Sequence, residues 1–253
     1  MSDLQQGAGP RLRQLRRRSI YLLPNLFTTA ALFAGFYAIV QAMNGRFDVA
    51  AVAIFVAGIL DGLDGRVARM TRTQSEFGAQ YDSLADMVSF GAAPALVMYE
   101  WALKDLGRFG WIAAFVYCAS AALRLARFNV NTDAVDKRFF QGLPSPAAGA
   151  LVAGFIWLAH DHKIPLDSYG IPWVAGVLTL YAGLTMVSNV PFYNFKDVNP
   201  RKSVPFWAML LIVLGFVLVS FDPPIVLFLL LFCYGLSGYV LYAMGTRAKP
   251  LPP

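Results

Sequence analysis

Eight apolar stretches, each long enough or nearly long enough to cross a bilayer, constrain this chain more than any other feature. They span residues 23–43, 48–65, 83–103, 111–126, 147–160, 171–191, 204–221 and 223–244. A hydrocarbon layer about 30 Å thick takes about 20 mostly apolar residues in helical form. Inside it the backbone N–H and C=O groups must satisfy one another, which a helix does within a single segment. At 57% hydrophobic and 14% charged, the chain is more apolar than a soluble domain, which holds about 45–50% apolar and about 25% charged residues. The expectation is an all-α, polytopic membrane protein of about eight transmembrane helices. Residues 1–253 read as one integral membrane domain, with residues 1–19 a basic N-terminal segment.

Membrane proteins carry an excess of Lys and Arg on the cytoplasmic side. With the N-terminus inside, only Arg46, Lys104, Arg108 and Lys163 of the 21 Lys and Arg residues fall outside. An even number of spans with both termini cytoplasmic follows, and the net charge of +6 is mostly a topology signal. A nucleic-acid partner would need a basic groove with stacking aromatics, and none is visible. The run RLRQLRRRS, residues 11–19, reads as the orientation signal of the first span rather than a lipid-headgroup site. Residues 19–43 exceed the ~7 to 15 residue core of a cleavable signal despite the small-residue VQA at 40–42, so the first helix is read as uncleaved. Cys118 and Cys233 fall inside spans, without disulfide or metal-thiolate spacing.

Against this background, DGLDGRVARMTRTQSEFGAQYDSLAD, residues 61–86, concentrates four aspartates, a glutamate and three arginines. If the second span stays helical to Arg69, then Asp61, Asp64, Gly65 and Ala68 share one face. Gly78, Asp82 and Asp86 share a face of the next helix. A break within MTRTQSEF, residues 70–77, would let the two stripes confront each other. Crowded carboxylates repel and raise one another's pKa, and charges near membrane depth are costly, so a cation must compensate. Arg66, Arg69 and Arg72 could do so as a surface ion-pair cluster, but that leaves the small residues Gly65, Ala68 and Gly78 without a purpose. An EF-hand fails, because Leu63, Gly65 and Arg72 stand where that loop needs oxygen ligands. Oxygen-only ligands suit Mg²⁺, Mn²⁺ or Ca²⁺. Two such ions about 3.5–4 Å apart are a common device for phosphoryl displacement, and a dinuclear divalent-metal site is the favoured reading.

The pattern Asp61-x2-Asp64-Gly65-x2-Ala68-Arg69-x8-Gly78-x3-Asp82-x3-Asp86 resembles the signature of the CDP-alcohol phosphotransferase family at every specified position. SLADMVSFGAAPA (83–95), RLARFN (124–129) and GLPSPAAG (142–149) resemble the serine-using members of that family. The resemblance implies that the serine hydroxyl attacks the phosphorus attached to diacylglycerol in CDP-diacylglycerol, releasing CMP, with two divalent ions, Mg²⁺ or Mn²⁺. It implies Asp61, Asp64 and Asp82 as metal ligands and Asp86 as general base that also touches the second ion, although spacing alone leaves open which aspartate is the base. It also implies CDP-diacylglycerol contacts at Gly65, by close backbone approach, at Arg69, by charge-assisted bonds, and at Ser75 and Gly78.

Asn25 and Thr28 match part of the family's PN-x2-T-x2-N pattern, whose second Asn is Ala31 here. They are read as further CDP-diacylglycerol contacts, with helix capping after Pro24 as the alternative. Arg124, Arg127 and Asn129 are candidates for holding L-serine, since a bidentate guanidinium suits a carboxylate. Arg124 leads because it lies deeper. Ser145 in LPSP is a weaker candidate. His160 and His162 read as exposed loop residues, and the tryptophans as interfacial anchors.

Residues 171–244 show no polar cluster and are assigned to packing, dimer contact or lipid access. A homodimer in the cytoplasmic (inner) membrane, with its site facing the cytoplasm, completes the expectation. Another acceptor, glycerol 3-phosphate or an inositol phosphate, would bring an extra phosphate and favour additional basic residues. A cation transporter would place acids near the bilayer midplane rather than at span ends. A scaffold for acidic lipids would be repelled by its own aspartates.

Overall fold

A computed structural model describes residues 10–71, 75–130, 139–164, 170–193 and 206–245. The fold is mostly helical, as expected. Helix α1 spans Pro10–Met43 and α2 spans Phe47–Thr71. Their interface is built from alanines: Ala34, Ala38 and Ala42 on α1 recur every fourth residue, and Ala50, Ala53 and Ala57 line α2, all buried. Small side chains let two backbones approach closely where lipid supplies no hydrophobic drive.

The third apolar stretch is helical but is not one regular helix. Helix α3, Glu76–Asp86, opens into a π-helical segment, Met87–Ala92, then α4, Ala93–Met98, and a second π-helical segment, Tyr99–Leu103. Pro94 explains the first widening, because a proline ring clashes with the carbonyl four residues before it, here that of Phe90. The displaced carbonyl accepts instead from the buried Tyr117 hydroxyl at 3.0 Å. Tyr117 lies on α5, Arg108–Val130. Gly35 on α1 packs here so tightly that an added Cβ would stand 2.6 Å from Ser89 Cα.

Helix α6 spans Ser145–Asp161, α7 Ile171–Val187, α8 Phe206–Phe221 and α9 Pro223–Ala243. The apolar stretch predicted over 171–191 ends early, at Val187. Pro191–Tyr193 then forms strand β2, antiparallel to β1, Phe139–Gln141, with Phe139 opposite Tyr193 and Gln141 opposite Pro191. Gly142, at φ +73°, leaves β1 where an added Cβ would fall 2.2 Å from the Met186 carbonyl.

Pro24–Met43, Arg108–Val130 and Pro223–Ala243 are each long and apolar enough to cross a membrane, and α7 is apolar but shorter. Trp101 corrects the interfacial reading: it is buried in the core, edge-on to Phe155. His160 stands at the end of α6 with its ring edge toward Phe47, and His162 Nε2 lies 3.7 Å from Asp222 Oδ2. The last helices also carry more polar contact than expected. Thr185 and Tyr239 hydroxyls meet at 2.7 Å between α7 and α9, and Tyr234 donates to the Tyr193 carbonyl at 3.2 Å.

Candidate active site

Helix α2 runs unbroken beyond Arg69, so Asp61, Asp64, Gly65 and Ala68 do lie along one face of it. Helix α3 starts anew after Ser75, whose Oγ accepts from the Gly78 N–H at 3.0 Å and caps it. This second helix brings Asp82 to the acidic face of the first. Carboxylate oxygens of Asp61, Asp64 and Asp82 lie within 4.8 Å of one another. Arg72 lies outside the described residues.

Asp64 is buried, and Thr28 on α1 fixes it: Thr28 Oγ1 is 2.9 Å from Asp64 Oδ2 and 3.1 Å from the Pro24 carbonyl. The capping alternative for Asn25 and Thr28 therefore fails, because α1 passes straight through Pro24 and no helix begins there. Thr29 and Tyr81, which the sequence reading missed, tie α1 to α3 through hydroxyls 2.9 Å apart.

Two of the three arginines that could make the cluster a purely structural ion-pair network do not pair with it. Neither Arg66 nor Arg69 forms an ion pair among the described residues. Asp82 Oδ1 is buried with no hydrogen-bond partner among them. Burial first, then the carboxylates of Asp64 and Asp61, push the Asp82 carboxyl up to about 7. Three convergent carboxylates, oxygen donors only, with one buried lone pair unmatched, fit a hard divalent cation.

Beside the carboxylates lies a cavity of about 430 Å³. Asn25, Thr28, Gly65, Arg69, Ser75 and Gly78 all line it, together with Pro24, Ala79 and Phe128, which the sequence reading did not single out. A Cβ on Gly65 would meet nothing within 4 Å. On Gly78 it would press to 3.1 Å on Ser75 Oγ and 3.5 Å on Asn25 Oδ1.

Asp86 adjoins the three-carboxylate cluster through Asp61 and lies within electrostatic reach of Arg124. Arg124, on α5, is only 9% exposed. Its Nη1 donates to Ser145 Oγ at 3.0 Å, while its buried Nε–H has no partner among the described residues.

The other two acceptor candidates are engaged elsewhere. Arg127 donates to the carbonyls of Gln141 and Val187 at 3.1 Å, to Asn189 Oδ1 at 3.2 Å, and to the Met186 and Ser188 carbonyls at 3.4 Å. It thereby clamps the end of α7 to β1. Asn129 pairs with Ser83. Of the three, Arg124 is the one placed beside Asp86.

The model of the CDP-alcohol phosphatidyltransferase family matches residues 21–188, which include α1 to α7 from Tyr21 onward. The chain belongs to the CDP-alcohol phosphatidyltransferase family. Among curated relatives it is 40% identical over 200 residues to the CDP-diacylglycerol–serine O-phosphatidyltransferase of Helicobacter pylori strain J99, covering 79% of this chain and 83% of that one. It is 33% identical over 231 residues to the Mycobacterium leprae protein of the same name, covering 88% and 75%. The Bacillus subtilis protein of that name is 29% identical over 174 residues, covering 69% and 91%. Every aspartate and glycine of the family signature falls inside the matched segment, whereas α8 and α9 lie beyond it.

Proposed function

We propose that this chain transfers the phosphatidyl group of CDP-diacylglycerol to the hydroxyl of L-serine, giving phosphatidylserine and CMP. The observation that carries this reading is the position of Asp86, between the carboxylate cluster with its cavity and the buried guanidinium of Arg124. A donor site and an acceptor site then share one carboxylate. The serine-enzyme names of relatives on three bacterial branches support the same acceptor.

Asp61, Asp64 and Asp82, with Asp86 at the edge, would hold two divalent ions, Mg²⁺ or Mn²⁺. When bound, such a pair supplies charge neutralisation for the pyrophosphate and for the departing CMP oxygen. Thr28 keeps Asp64 aimed. Arg69 and Ser75 line the cavity with a cation and a hydroxyl for the nucleotide's phosphates. Gly65 and Gly78 leave room there, and Asn25 presents its amide. Arg124 receives the serine carboxylate on the Nε–H that no described residue matches. Asp86 accepts the hydroxyl proton as the serine oxygen bonds to phosphorus, and the phosphorus–oxygen bond to CMP breaks with its electron pair leaving on CMP.

The engagement of Arg127 favours serine over glycerol 3-phosphate or an inositol phosphate. One buried guanidinium suits a singly charged carboxylate, whereas a phosphate dianion calls for more cationic donors. As membrane architecture we propose eight spans in one domain, both termini cytoplasmic, in the inner membrane, as a homodimer with its site facing the cytoplasm. Nucleotide then arrives from water and lipid from the side.

The test supplies purified protein with CDP-diacylglycerol, divalent metal and one labelled acceptor at a time. Serine should give CMP and labelled phosphatidylserine. CMP from glycerol 3-phosphate or an inositol phosphate but not from serine would overturn the acceptor, and CMP from none of them would overturn the reaction.

A further inference from the structure

The cavity beside the carboxylates is walled from four helices, and three of them bring it polar groups. Helix α1 supplies Asn25 and Thr28, α2 supplies Asp64 and Arg69, and α3 supplies Asp82, with Ser75 as its cap. Helix α5 supplies one lining residue, Phe128, and nothing polar. That side chain is 45% exposed and enters no ring pair among the described residues. An aromatic surface therefore borders the cavity with no aromatic partner of its own.

The next residue fixes its place. Asn129 Nδ2 donates to Ser83 Oγ at 3.0 Å, and Ser83 Oγ lies 3.1 Å from the Ala79 carbonyl. Phe128 and Asp82 are the chain neighbours of these two partners. The end of α5 is thus fastened to α3 where the ring and the carboxylate both border the cavity.

A volume of about 430 Å³ lies within the ~300–1,000 Å³ of small-molecule sites. A nucleotide carries its charge at one end and a flat, neutral π-face at the other. Arg69 and Ser75 suit the charged end, and they leave the flat end without a matching surface. An aromatic ring matches it, because base–aromatic stacking needs only two exposed faces and no particular pattern of donors. An acyl chain fits this place poorly, since it would strip water from carboxylates and a guanidinium without returning hydrogen bonds.

We infer that Phe128 is a donor-binding residue, on whose ring the pyrimidine base of the nucleotide-activated lipid stacks. This rests on the CDP-diacylglycerol half of the reaction proposed above and deepens it: α5 carries the base contact at its last turn, and Arg124 for the acceptor four residues earlier.

The test measures CMP binding to the purified full-length protein with Mn²⁺ present, by calorimetry, in wild type, Phe128→Leu and Phe128→Tyr. Leucine keeps the apolar bulk but has no π-face, and should weaken CMP binding about tenfold. Tyrosine keeps the ring and should retain the wild-type affinity. Mn²⁺ affinity without nucleotide should be equal in all three. In steady-state assays Phe128→Leu should raise the KM for CDP-diacylglycerol by a similar factor and leave the KM for serine unaltered.

Undiminished CMP affinity in Phe128→Leu overturns the inference, and if the KM for CDP-diacylglycerol still rises, the ring meets the glyceride or its chains instead. A parallel loss of Mn²⁺ affinity also overturns it, because that marks a general loosening of the site. Absence of CMP binding in wild type overturns the donor reading itself, and the assignment of Phe128 with it.

Discussion

Asp82 shows at the scale of one residue why the three carboxylates could hold a cation. Its carboxyl is raised from 3.8 to about 7, by burial first and then by Asp64 and Asp61. The folded metal-free protein therefore holds this proton more tightly than the unfolded chain does. From about pH 4 upward this group's contribution to stability declines, and the decline ends above about 7. A metal ion faces the opposite slope, because below about 7 it must displace the proton. Mn²⁺ affinity should weaken by up to about tenfold per pH unit below 7 and level off above it. Calorimetric titration between about pH 5.5 and pH 8 measures this, and a flat profile would refute the role of Asp82.

The aspartate spacing was readable in the sequence because i, i+3 and i+4 recurrences define a helical face without reference to the rest of the chain. The role of Arg127 was not. Its acceptors lie 14 to 62 residues away, and no local pattern reveals that β1 and the end of α7 converge on it. Thr28 was singled out for the nucleotide, while its direct bond to Asp64, 36 residues on, is a contact that only packing discloses.

At the scale of elements, the widened helical turns after Asp86 separate the catalytic end of the third stretch from its apolar end. Pro94 was visible in the sequence, but proline inside an apolar stretch can kink a helix, end it or widen it. The choice depended on Tyr117 being available to take the Phe90 carbonyl. Gly35 is what lets α1 lie against this segment. In Gly35→Ala the new Cβ would meet Ser89 backbone at 2.6 Å, which two packed helices cannot relieve by moving a flexible side chain. A destabilisation of about 1–3 kcal/mol is expected. It would be read as a lowered thermal midpoint in detergent, together with a loss of metal affinity, since α1 also carries Thr28. An unchanged midpoint would show that the close contact is not maintained in the membrane-solvated protein.

At the scale of the whole molecule, the mostly helical, apolar character of the chain was legible because bilayer thickness acts on sequence directly. The small β1–β2 ribbon was not, since three-residue strands inside polar connections have no period to detect. Arg124 bonds to Ser145 on α6, and Arg127 ties β1 to the end of α7, so the acceptor side depends on chain far from the acidic signature. On the donor side, α2 and α3 bring the carboxylates of Asp61, Asp64 and Asp82 within 4.8 Å of one another, and among the described residues neither Arg66 nor Arg69 forms an ion pair. That crowding makes a pair of divalent ions the central claim.

Electron paramagnetic resonance of the purified protein titrated with Mn²⁺ tests it most directly, with Asp82→Asn as the comparison. Two bound ions per chain with the spectrum of a magnetically coupled pair are expected in wild type, and loss of the coupled signal in a variant that still folds. A single uncoupled ion in wild type, or a coupled pair undiminished by Asp82→Asn, would contradict the dinuclear assignment.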